Sequence, residues 1–157
     1  MEVTALQQEI EDWDWYGIDV DGAIARFSTG GRGRMPQSVS ASEEDLRKIS
    51  EFFENRLDIT GAATVGTLID SYARFRNADE RSRYMADFCD MSRRGVYCYD
   101  AVMNARSRPS GYFLMSKPTI ALSVAALPTE IQAILERTQL KGLQFSTSEI
   151  IDVDDLA

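Results

Sequence analysis

The segment from Trp13 to Ser28 constrains this chain more than any other. Two strand-like runs, Trp13 to Val20 and Ala23 to Ser28, meet at Asp21-Gly22. That pair suits a two-residue type I′ turn, whose central residues both take positive φ. Such a turn sets Val20 opposite Ala23, Ile18 opposite Ala25 and Tyr16 opposite Phe27, which makes one wholly apolar face. Trp13, Trp15, Gly17 and Asp19 then share the other face with Ile24, Arg26 and Ser28. Slippage by a single residue would turn every side chain over, so the apolar pattern selects this register. Arg26 then lies diagonal to Trp15 and Asp19, within reach of a cation–π contact and an ion pair.

The rest of the chain reads as alternating helices and strands. Residues 1–12 form a polar lead-in with room for a short helix. A Gly/Arg loop follows the hairpin (Gly30-Gly31-Arg32-Gly33-Arg34) and closes at Pro36. Ser42 caps a helix with Glu43, Glu44 and Asp45 in its first turn, and Leu46, Ile49, Phe53 and Leu57 form its buried stripe. Gly61 to Gly66 breaks it, and the residues up to 77 fit helix or strand. Ala78 to Arg94 predicts a helix with Tyr84, Met85, Phe88, Cys89 and Met91 along one side and Gly95 as its stop. Val96 to Tyr99 and Tyr112 to Ser116 read as strands around a polar turn from Asn104 to Gly111. Thr119 to Leu122 reads as extended, Pro128 opens a helix to about Thr138, and Leu143 to Phe145 reads as a short strand. No repeat or long linker divides the chain. The expected fold is α+β: one domain over 1–157, a mainly antiparallel sheet with an N-terminal β-hairpin, three to four helices packed on it, and an acidic tail from 146.

Charge and composition narrow the function. The first 25 residues carry seven acids and no base, and the net charge is −8. The last twenty residues hold Glu149, Asp152, Asp154 and Asp155 against Lys141. Such a field repels nucleic acid and anionic membrane and steers a basic partner. No apolar run approaches the roughly 18 residues of a membrane span, and the N-terminus has acids where a secretory signal needs bases. Cys89 and Cys98 lack any zinc or redox spacing and read as buried free thiols in a reducing cytoplasm. The chain has no histidine, which removes the commonest general base and metal ligand. No cofactor and no metal are expected.

Two motifs invite a chemical reading. Ile18-Asp19-Val20-Asp21-Gly22 resembles the DxDG signature of haloacid-dehalogenase-like phosphatases, where the first aspartate is the nucleophile and the second the acid/base. That chemistry needs both at the carboxyl end of a parallel strand, whereas here a second strand follows at once. Gly30 to Arg34 could cradle a phosphate, but it lacks both the P-loop and the dinucleotide spacing. Its arginines, Arg32 and Arg34, are instead candidates for a partner surface.

Asp14-Trp15-Tyr16-Gly17-Ile18-Asp19, continued by Gly22, Ile24, Phe27, Gly30, Gly31 and Pro36, resembles the opening of a group of small bacterial proteins of immunity-protein type. Arg94-Gly95-Val96-Tyr97, Tyr99-Asp100, Tyr112, Pro118 and Leu127-Pro128 are similar to the group's second half. The resemblance implies a cytoplasmic bacterial protein that neutralises a toxin by binding it, and it brings no catalytic residues. The expected function is therefore a non-catalytic binder of a basic protein partner, such as a nuclease toxin. Trp13, Trp15, Asp19, Arg26, Arg32 and Arg34 are its candidate contacts. A small-ligand or regulatory domain, with its ligand between the sheet and the 78–94 helix, is the alternative. A metal-dependent phosphohydrolase using Asp19 and Asp21 stands behind both.

Overall fold

The first helix opens on a reciprocal cap: the Thr4 hydroxyl accepts the Gln7 N–H while the Gln7 side chain accepts the Thr4 N–H. A computed structural model describes residues 1–55, 57–103 and 110–155. Its helices are α1 (Ala5–Ile10), α2 (Gln37–Ser40), α3 (Glu43–Asn55), α4 (Ile69–Tyr72), α5 (Ala78–Arg93) and α6 (Thr129–Leu135). Its strands are β1 (Asp14–Ile18), β2 (Ile24–Ser28), β3 (Ala63–Val65), β4 (Tyr97–Ala101), β5 (Gly111–Pro118) and β6 (Ile150–Asp152). They form one curled mixed sheet in the order β1-β2-β4-β5-β3, with β6 also on β5. Only the β2–β4 pair among these is parallel. The architecture is a single α+β domain with an N-terminal hairpin, as expected. Among the described residues no helix is long and apolar enough to cross a membrane.

The hairpin forms, but in a different register. Trp15 pairs with Phe27, Tyr16 with Arg26 and Ile18 with Ile24, one residue away from the expected alignment. The loop has three residues, not two. Asp19 closes it by donating its N–H to Ala23 O (3.1 Å) and accepting the Gly22 N–H at its own carbonyl (3.1 Å). Gly22 takes φ +76°, the left-handed conformation that ends a three-residue hairpin loop at little cost for glycine. Val20 is exposed at the tip and does not join the apolar face.

Register assigns the two faces. Trp15, Phe27, Tyr99 and Tyr112 lie on one, where Trp15 stacks on Phe27 (4.0 Å between centroids) and Phe27 on Tyr99 (5.0 Å). Phe145, in a 3₁₀ turn (Phe145–Thr147), covers this ladder with the loop before Pro36. Tyr16, Arg26, Cys98 and Ser116 form a row across the other face, beneath α3 and α5. There Tyr16 stacks on Phe53 of α3 (4.5 Å) and the Ser92 hydroxyl of α5 lies 2.7 Å from that of Ser116. With both faces covered, neither needs to be polar, which is why apolar alternation misjudged the register.

Other elements depart from expectation in smaller ways. Residues 61–77, open between helix and strand, hold both: β3 and the single turn α4. Thr119 to Leu122 forms no strand, and Leu143 to Phe145 runs into the 3₁₀ turn. The acidic tail supplies β6, which pairs with β5 from Gly111 to Phe113. The expected turn from Asn104 lies outside the described residues as far as 109. Cys89 and Cys98 are free thiols, Cys98 buried and Cys89 partly so.

Candidate functional site

Four of the six residues expected at a partner surface are buried. Trp15 is covered completely; its indole N–H donates to the Tyr112 hydroxyl (3.2 Å), which donates in turn to the Arg34 carbonyl (2.6 Å). Trp13 lies under α1, donating its indole N–H to Gln7 O (3.3 Å), with the Arg47 guanidinium 4.9 Å above its ring. A second layer therefore covers both tryptophans, and any partner reaching them would have to part it.

Asp19 organises the hairpin tip. One carboxylate oxygen accepts the N–H groups of Asp21 (2.9 Å) and Ala23 (3.0 Å), and the other accepts that of Phe145 (2.9 Å). Asp21 stands in the turn with its carboxylate on the Gln144 amide (2.9 Å). This tight antiparallel turn lacks the parallel-strand terminus that the DxDG chemistry needs.

Arg26 points away from Trp15 and Asp19, under α5. Its side chain is 3% exposed; Nη2 donates to Asp87 (2.8 Å) and the guanidinium lies 5.3 Å from the Phe88 ring. The expected contacts with Trp15 and Asp19 do not form, because the true register puts Arg26 opposite Tyr16. The Arg26 Nε and the Tyr16 hydroxyl are buried with no hydrogen-bond partner. Arg32 and Arg34 are exposed, and Arg34 holds Asp154 (3.0 Å) beside a cavity of about 610 Å³ that also receives Arg137 and Lys141.

No family model matches the chain, and neither a curated protein nor a solved structure matches it.

Of the clefts that open on the helix-covered side, two are lined by more than one acid. The first, about 370 Å³, lies between the start of β1 and α3 and is lined by Asp12, Asp14, Glu51 and Glu54. Among the described residues Arg47 is the one base lining it, and Glu43 already holds that guanidinium (2.7 and 2.9 Å). Burial raises the Asp14 carboxyl above its ordinary range, and Asp12 and Asp87 push the same way, against Arg26 and the Ser28 hydroxyl. Carboxylates crowded like this gain from an incoming cation. Among the described residues, however, no three His, Cys, Asp or Glu side chains are grouped to hold a metal ion.

The second cleft, about 340 Å³, lies where α4 and α5 meet β4 and β5. Tyr72 packs against Phe113 (5.1 Å) and Phe75 against Tyr84 (5.5 Å), and all four rings line the opening. The Tyr84 hydroxyl donates to Asp100, which lines the same cleft at 6% exposure. Sequence reading missed this group. Tyr84 sits in an apolar helical stripe and looked like core, whereas the residue is 44% exposed. Asp100, a charge closing the Tyr97-to-Tyr99 strand, was the available signal.

Proposed function

We propose that this chain is a non-catalytic binding protein of immunity type that sequesters a basic protein partner. The observation that supports it is the first cleft, where, among the described residues, Asp12, Asp14, Glu51 and Glu54 face one base, already paired with Glu43. A basic loop or helix end entering there would relieve repulsion among the carboxylates, and the chain's negative field would speed its approach. The burial of Trp15 and Arg26 moves the proposed contact from the hairpin's flank to this cleft, which Trp13 also lines.

Co-expression with a toxin-domain protein encoded by the neighbouring gene tests the reading. The wild type should protect growth, and the exposed triple substitution Asp12→Asn, Glu51→Gln, Glu54→Gln should not. In purified form the triple variant should associate more slowly at low salt and converge on the wild type at high salt. An association rate independent of salt would overturn the proposal.

A second reading, a small-ligand-binding or regulatory domain, draws on the other cleft. It lies between the sheet and α5, where such a ligand was expected, and Tyr72 and Tyr84 line it.

A further inference from the structure

Eleven large apolar side chains are exposed among the described residues, and the two aromatic ones, Tyr72 (39%) and Tyr84 (44%), line the same cleft. Scattered exposed aliphatic groups are ordinary, but exposed rings gathered around a concavity mark a binding surface. The placement has a structural cause. Tyr84 leans over the cleft against Phe75 and Phe88, and its hydroxyl reaches down to Asp100. Tyr72, from the single turn α4, packs on Phe113 across the opening. Aromatic walls thus stand over one buried carboxylate.

The charges around that carboxylate favour one class of ligand. Asp12 and Asp14 act on Asp100 from the sheet side, and Glu80 lines the cleft itself. Among the described residues Arg74 is the base lining the cleft, and Arg76 already pairs with Glu80 (3.2 Å). An anion would meet the Asp100 carboxylate, and a neutral ligand would find the Tyr84 hydroxyl already directed at Asp100. A cation gains from the rings and from the carboxylate together, and its arrival offsets the burial of that charge. At about 340 Å³ the cleft stands at the small end of ligand pockets, roughly 300–1,000 Å³.

We infer that this cleft binds an organic cation, a guanidinium or alkylammonium group seated among Tyr72, Phe75 and Tyr84 with Asp100 as its counter-ion. The inference deepens the ligand-binding reading and is independent of the first cleft.

Three isosteric probes test it on the full chain: benzamidinium (cation), benzamide (neutral) and benzoate (anion), followed by calorimetry and by the ring resonances of Tyr72 and Tyr84. Benzamidinium should bind about ten-fold or more tightly than benzamide, with benzoate weakest. Asp100→Asn should abolish that preference. Tyr72→Ala, at an exposed position that leaves the fold intact, should weaken benzamidinium in parallel. Free L-arginine and a blocked Gly-Arg-Gly peptide then separate a free ligand from a guanidinium presented by a partner; binding of either supports the inference. If benzamide or benzoate binds as well as benzamidinium, the inference fails while the ligand-binding reading stands. If none of the three binds, both fall.

Discussion

The Asp19 carboxylate accepts the backbone N–H of Phe145, 126 positions further along the chain, at 2.9 Å. That bond fastens the hairpin tip to the segment covering the aromatic ladder, while the other carboxylate oxygen holds the turn itself. Removing it leaves three backbone donors to be satisfied, so Asp19→Ala should cost about 3 kcal/mol or more. Asp19→Asn should cost less, because one oxygen remains to accept. Urea unfolding of both variants checks this; an Ala variant as stable as wild type would show that Asp19 does not hold the tip.

Trp15 should behave as a core residue. Its emission should be blue-shifted and poorly quenched by acrylamide, and Trp15→Ala should destabilise by about 3–5 kcal/mol. Trp15→Phe keeps the stack on Phe27 but loses the bond to the Tyr112 hydroxyl, and should cost about 1–2 kcal/mol. Strong quenching of both tryptophans would contradict the covered arrangement.

Asp87 is 74% exposed, yet it is the one acid that the buried Arg26 guanidinium holds in an ion pair. Asp87→Ala should therefore cost about 1–3 kcal/mol, far more than an ordinary surface substitution such as Glu54→Ala. Arg26→Met in the Asp87→Ala background should recover most of the loss, since an apolar side chain needs no counter-charge. A double variant no better than Asp87→Ala would remove the pair from the account.

Asp100 sets a pH dependence. Burial pushes its carboxyl up to about 6, with Asp12 and Asp14 adding to the shift and the Tyr84 hydroxyl and Ala101 N–H opposing it. The folded protein thus binds this proton more tightly than the unfolded chain, whose aspartates titrate near 4. The sign follows: the contribution to stability is complete below about 4 and disappears as pH rises through about 6, a change on the order of 2–3 kcal/mol. Wild type minus Asp100→Asn, compared at pH 4 and pH 7, isolates it from the other carboxylates. The Tyr84 hydroxyl can accept from the asparagine amide, so the substitution is compatible with the fold. A difference that does not change with pH would count against the buried ionised carboxylate.

The hairpin shows how far local signals reach. The turn at Asp21-Gly22, the pairing of the two runs and the α+β class are legible in residues close together in sequence. The register is not, because two-residue and three-residue loops both place Gly22 in a turn. The choice between them rests on Phe145 and Leu143, which bond the tip from the far end of the chain. Arg26 was set beside Trp15 and Asp19 for the same reason: its true partner Asp87 lies on α5, with no local pattern to announce it. Helices fared better. The α3 stripe at Leu46, Ile49 and Phe53 is buried as its spacing predicts, since amphipathic periodicity is local. The first cleft joins two stretches distant in sequence and the second joins four, and only the types of their side chains, not their meeting, can be read from the chain.

One edge of β5 is shared by two short strands of distant origin: β3 pairs with it from Ser116 to Pro118 and β6 from Gly111 to Phe113. During synthesis β3 precedes β5 and β6 follows it. The Gly111-to-Phe113 stretch therefore leaves the ribosome as a raw edge, able to pair with another nascent copy until β6 arrives. Glu149 and Asp152, which bracket Ile150 and Ile151, act as gatekeepers for that late strand: their charge discourages it from stacking on its own kind before it reaches its place.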